Sequence, residues 1–235
     1  MKLIHLYSTD QPNDQFAKDL RGFGPLSIIA ILIILLTGNI LLPNMISLPV
    51  GALLVLLWVH LSKTPWSAIG YARPKTWLAT IFIGIIFGIA FKFFLKALVM
   101  PLFGADPVNE SYHFLTGNKT LLPAAIWSML AAGFGEETVF RGYLFERLEK
   151  LLGTSRTIKY LIIAGTSVLF ALAHYASQGI PGVEQALITG LAFGIIYSIT
   201  KKIWIIMIAH AAFDLTALAM IYWNWETDIA HLIFR

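Results

Sequence analysis

A chain of 235 residues that is 57% hydrophobic and only 13% charged, with a mean hydropathy of +0.74, lies outside the composition of soluble domains and reads as an integral membrane protein. Cysteine is absent, which excludes disulfides, thiolate metal ligands, a cysteine nucleophile and cysteine lipidation. The net charge of +4 would suit a nucleic-acid partner, but the placement of the basic residues assigns it to the membrane instead.

Residues 1–24 hold Asp10, Asp14 and Asp19 and no long apolar run. That argues against a cleaved signal peptide and for a polar lead-in with one short interfacial helix. Because a span needs roughly 20 mostly apolar residues, about seven candidates follow, near residues 25–42, 46–62, 77–101, 121–147, 157–176, 181–200 and 203–222. The first two are joined by a tight turn at Pro43, Asn44 and Met45. Trp66, Tyr71 and Trp77 suit a segment lying in the headgroup layer between the second and third. Gly84 with Gly88, and Gly190 with Gly194, have the spacing that lets helices approach closely. Lys92 and Lys96 stand near the outer end of their span, where long stems carry the ammonium groups to the interface. Residues 223–235 form a short C-terminal tail. The expected fold is all-α, a polytopic transmembrane helix bundle over residues 25–222.

Lys and Arg distribution tests this topology. Lys2, Lys18, Arg21, Lys63, Arg73, Lys75, Arg147, Lys150, Arg156, Lys159, Lys201 and Lys202 fall on one side, and Lys119 and Arg235 on the other. Twelve against two places the N-terminus in the cytoplasm and explains the basic pI without nucleic acid.

The ionisable groups left at membrane depth are Glu136, Glu137, Arg141, His174, His210 and Asp214. Each charged group near a helix centre costs about 2.5 kcal/mol or more, so such residues are paired or functional. Glu137 and Arg141 are four apart, roughly 40° round a helix, and can form an ion pair whose role could be structural alone. Glu136 lies about 100° from Glu137 and about 140° from Arg141, so it faces elsewhere. Asp214, four after His210, can orient that imidazole, and Phe170 sits one turn before His174. Rise along the helices puts Glu136, His174 and His210 at depths of roughly 16, 22 and 12 Å, close enough for tilt to bring them to one cavity. With no cysteine and no recognisable serine nucleophile, water activated by Glu136 is the simplest attacking group, and a histidine could donate a proton or stabilise an oxyanion. That is amide hydrolysis inside a membrane.

EETVFR, FALAH and HAAFD, in that order, resemble the EExxxR, FxxxH and HxxxN/D motifs of the CAAX protease and bacteriocin-processing family (CPBP, or Abi), which includes the type II CAAX prenyl endopeptidases. The resemblance covers about residues 121–222. It implies a catalytic core there, with a conical or open cavity in the later helices, and a glutamate-type intramembrane endopeptidase without cofactor or metal. Glu136 would activate water and His174 assist it; His210 with Asp214 would form the oxyanion side, and Glu137 with Arg141 would support the site. Asp214 stands where those endopeptidases typically carry asparagine, and an ionised aspartate donates no hydrogen bond, so its expected role is to orient His210. The implied partners are the lipid bilayer and a peptide or protein substrate near it, in a bacterial cytoplasmic membrane. The competing readings are a zinc-dependent protease, a proton-coupled transporter and a non-catalytic immunity scaffold.

Overall fold

The computed structural model describes residues 12–39 and 44–234, and every element among them is helical. The helices are α1 (Pro12–Arg21), α2 (Pro25–Asn39), α3 (Asn44–Leu61), α4 (Trp77–Phe94), α5 (Leu122–Glu137), α6 (Phe145–Leu152), α7 (Arg156–Ala173), α8 (Tyr175–Thr200), α9 (Ile203–Tyr222) and α10 (Glu226–Ala230). A π-helical turn, Leu95–Val99, carries α4 on to Leu102, and a longer one, Thr138–Leu144, joins α5 to α6. Of the turn expected at Pro43 to Met45, Pro43 lies outside the described residues, and Asn44 and Met45 already belong to α3.

Among the described residues four helices are long and apolar enough to cross a membrane: Trp77–Leu102, α7, α8 and α9. A fifth arises if α1 and α2, bent by 57° at Gly22–Gly24, count as one broken span. Seven spans were expected. The apolar part of α3, Leu48–Leu61, is shorter, and α5 reaches only 16 residues before its terminal glutamates lead into the π-helical segment.

Helix α9 is central, packed on α4 along one side and on α5 along another, while α7 and α8 pair with each other and α3 lies on α5. Small residues set these distances. A Cβ on Gly88 would stand 2.1 Å from the Ala209 carbonyl oxygen, so only glycine lets α4 come this close to α9. Gly133 does the same for α5, since a Cβ there would lie 2.5 Å from the Ala211 backbone nitrogen. The outward faces of α2 and α4 remain apolar, with Ile28, Leu32, Leu78 and Phe82 exposed as on a lipid-facing surface.

The segment between α3 and α4 is fixed rather than loose. The Ile203 amide donates to the Gly70 carbonyl (3.1 Å), and Tyr71 and Trp77 set their rings edge-on to Trp204 at 5.1 and 5.2 Å. Arg147 is not the loop charge its position suggested. It is 2% exposed, donates to the carbonyls of Arg21 (3.0 Å) and Gly22 (3.4 Å), and lies 4.4 Å over the Trp58 ring. It thereby binds α6 to the α1–α2 corner.

Candidate active site

The two glutamates close α5, and the π-helical segment begins at the next residue. A π-bulge widens the turn and re-aims the side chains around it, which is why such segments gather at functional sites. Thr138 holds this one in place. Its hydroxyl donates to the Phe134 carbonyl (2.7 Å) and so receives the Tyr71 hydroxyl at 2.7 Å. Burial pushes the Tyr71 phenol above its ordinary value, keeping it a donor.

Glu137 is fully buried, and one of its oxygens, Oε1, accepts from Arg141 Nη1 (3.0 Å) and from His210 Nδ1 (2.8 Å). Arg141 also donates to the Gly190 carbonyl (3.3 Å) and lies 4.5 Å over the Phe170 ring. The expected Glu137–Arg141 pair therefore exists, and it does more than satisfy itself. By accepting the Nδ1 proton it fixes the tautomer of His210 and turns Nε2 the other way. Asp214 was expected to do this. Its Oδ2 instead stands 3.6 Å from Nε2, beyond hydrogen-bond reach, because a residue one turn further along α9 meets the far edge of the ring.

Glu136 faces that same edge, with Oε2 3.8 Å from His210 Nε2. This oxygen is buried and has no hydrogen-bond partner among the described residues. His174 caps α7. Its Nδ1 pairs with the Phe170 carbonyl (2.8 Å), its ring lies 4.7 Å from that of Phe170, and its own carbonyl accepts from the Gln178 amide (2.9 Å). The helix breaks just beyond, at Gly179 (φ +63°, ψ −158°), a backbone conformation open to glycine and closed to most other residues. The break lets Pro181 start a fresh helix direction.

Glu136, His174, His210 and Asp214 line one cavity of about 120 Å³. Glu137 and Arg141 do not line it but touch residues that do, Glu137 through His210 and Arg141 through the Phe170 ring. Sequence reasoning missed several polar groups on its walls, among them Lys92, Tyr112, Gln178 and Gln185. Lys92 was expected to reach out to the interface, yet it is 6% exposed and donates to Gln185 Oε1 at 2.8 Å. A signal for this was present. Lys92 continues the Gly84–Gly88 stripe at the same four-residue step, so it falls on the face that packs against α9 rather than on lipid. Gln178 donates to the Tyr112 hydroxyl (3.4 Å). Burial above all, then the charges of Asp214 and Glu136, raise the Tyr112 phenol above its usual value, which leaves its O–H available to the cavity.

Among the described residues no group of three or more His, Asp or Glu side chains has an arrangement that could hold a metal ion.

A chain whose described elements are all helical, with several apolar helices and a carboxylate–histidine cluster among them, belongs among polytopic membrane proteins with a built polar site. Residues 118–216, which carry all three motifs, match the family model described as type II CAAX prenyl endopeptidase Rce1-like. This is the family read from the motifs, and it points to protease activity in an integral membrane protein. Neither a curated protein nor a solved structure matches the chain.

Proposed function

We propose that the protein is an intramembrane endopeptidase in which Glu136 activates the water that attacks a peptide bond of a membrane-associated peptide or protein. The observation that carries this reading is the Glu136 Oε2 atom: buried, without a hydrogen-bond partner among the described residues, and 3.8 Å from an imidazole whose other nitrogen is fixed by Glu137. A carboxylate oxygen left without a donor is costly, and a water molecule would satisfy it. His210, with its proton held toward Glu137, presents Nε2 as an acceptor to the same water. His174 lines the same cavity and assists.

In this reading residues 25–222 form a seven-span bundle, with α3 and α5 completing the count as short spans, and residues 121–222 form the catalytic core. The N-terminus lies in the cytoplasm, a placement the bias of Lys and Arg supports even with Arg147 set aside, and the membrane is a bacterial cytoplasmic one. The test is mass spectrometry of peptides released from membranes carrying the wild type or Glu136→Gln. Peptides present only with the wild type support the reading; identical profiles sink it.

A further inference from the structure

Lys92 is almost wholly buried, yet among the described residues no carboxylate stands within 4.0 Å of its ammonium. Its polar contacts are one hydrogen bond to Gln185 Oε1 and the Phe213 ring, whose centroid is 4.9 Å away. Lys96, one turn further along, differs. It is paired with Glu226 at 3.3 Å and also donates to the Pro107 carbonyl. An ammonium carries three N–H donors and is costly to bury without a counter-charge, so Lys92 is held ready for an oxygen the protein itself does not provide.

The wall around it shows which oxygen. Glu136 and Asp214, when ionised, only accept hydrogen bonds. His210 has committed its Nδ1 to Glu137, and His174 has committed its Nδ1 to the Phe170 carbonyl. Tyr112, Gln178 and Gln185 add neutral donors to the wall, and among the described residues that line the cavity Lys92 is the one Lys or Arg side chain, the cationic donor that suits negative charge growing on a carbonyl oxygen. Lys92 lines the same cavity with two donors unspent.

We propose that Lys92 is a further catalytic residue of this site, whose ammonium receives the oxygen of the scissile carbonyl and the negative charge that grows on it. The inference rests on the peptidase reading. Water passes one proton to the Glu136 carboxylate while its oxygen bonds to the carbonyl carbon. The electron pair of the carbonyl π bond moves onto its oxygen, which the Lys92 N–H groups hold. When that pair returns, the C–N bond breaks, the nitrogen leaves with the proton held by Glu136, and a carboxylic acid and an amine result. Gln185 is a positioning residue, holding the ammonium in place from α8.

The test uses the full chain in liposomes, with quenched fluorescent versions of the peptides that the membrane comparison identifies. Lys92→Met is expected to lower kcat about 100-fold, the usual cost of removing one oxyanion donor, with KM changed less than about threefold. Lys92→Arg, which keeps charge and donors, should recover about tenfold of that loss. A substrate-like peptide aldehyde, which binds as its tetrahedral hydrate, should lose about 100-fold in affinity to Lys92→Met while the matching peptide amide loses none. The Tm of Lys92→Met should equal or exceed that of the wild type, because the variant removes an unpaired buried charge. Unchanged kcat, equal loss of aldehyde and amide binding, or a fall in Tm that tracks the fall in activity each overturns the role given to Lys92. Glu136→Gln in the same liposomes separates the two claims. If it cleaves like the wild type the peptidase reading itself has failed; if it is inert and Lys92→Met is fully active, only the role of Lys92 has.

Discussion

The two edges of the His210 ring lie in opposite surroundings. On the Nδ1 edge Glu137 Oε1 receives both His210 and Arg141, and Arg141 is held in turn by the Gly190 carbonyl and the Phe170 ring, while Glu137 Oε2 has no hydrogen-bond partner among the described residues. On the Nε2 edge the carboxylates of Glu136 and Asp214 stop at 3.8 and 3.6 Å, with a cavity in front of them. The residues of one motif thus divide into a closed network and an open one. Adjacent glutamates on a helix cannot share a face, and here the helix uses that fact to give one carboxylate to architecture and leave the other for chemistry.

The comparison breaks most visibly if the closed edge is cut. Arg141→Met would leave Glu137 buried with an uncompensated charge, and a loss of about 3–5 kcal/mol in stability is expected, read as a fall in the denaturation midpoint in mixed micelles. Glu136→Gln, one residue from Glu137, should change that midpoint by less than about 1 kcal/mol, because its Oε2 gives up no protein partner. Equal losses in the two variants would erase the distinction between the edges.

Next in size is the spacing between the helices that carry the two networks. Gly133 lies one turn before Glu137, and its missing Cβ brings α5 onto the backbone of Ala211 beside His210. Gly133→Val should cost about 1–3 kcal/mol and move Glu136 away from His210, so stability and cleavage fall together. Gly165→Ala is the matched control. A Cβ there meets nothing within 4 Å, and the midpoint should hold within about 0.5 kcal/mol.

What could be read from the sequence follows the same division. Helical spacing alone separated Glu136 from Glu137 and paired Glu137 with Arg141, because both statements concern one helix. That Glu137 rather than Asp214 orients His210 depends on how α5 and α9 face each other across Gly133, and no periodicity within either helix contains that. The π-helical segment after Glu137 was equally hidden, since TVFRGYL carries no residue that demands the wider turn. Lys92 was misjudged from depth alone, although its place on the glycine stripe gave its direction. Arg147 was counted with the loops because α6 continues the helix past the expected end of the span.

A smaller effect is expected from Asp214→Asn. Since Asp214 makes no hydrogen bond to His210, the imidazole should keep its tautomer, and cleavage should change by about tenfold or less, equivalent to about 1.4 kcal/mol in the barrier. A loss as large as that of Glu136→Gln would mean that Asp214 does the orienting after all and that Glu137 serves only Arg141.

The smallest effect lies furthest from the cavity. Tyr71→Phe removes the 2.7 Å hydrogen bond that ties the segment between α3 and α4 to Thr138 at the start of the π-helical segment, which should cost about 1 kcal/mol. Its pH dependence gives a second reading. The folded protein, chiefly by burying the phenol, raises its pKa above the ordinary 10.0, so the folded state favours the neutral form. That contribution is fully present below pH 10 and is lost as pH climbs through the raised value. The wild type should therefore show a decline in stability above pH 10 that is reduced in Tyr71→Phe. If the decline is identical in both, the hydroxyl is not held as described, and Thr138 is left to fix the turn through its bond to the Phe134 carbonyl alone.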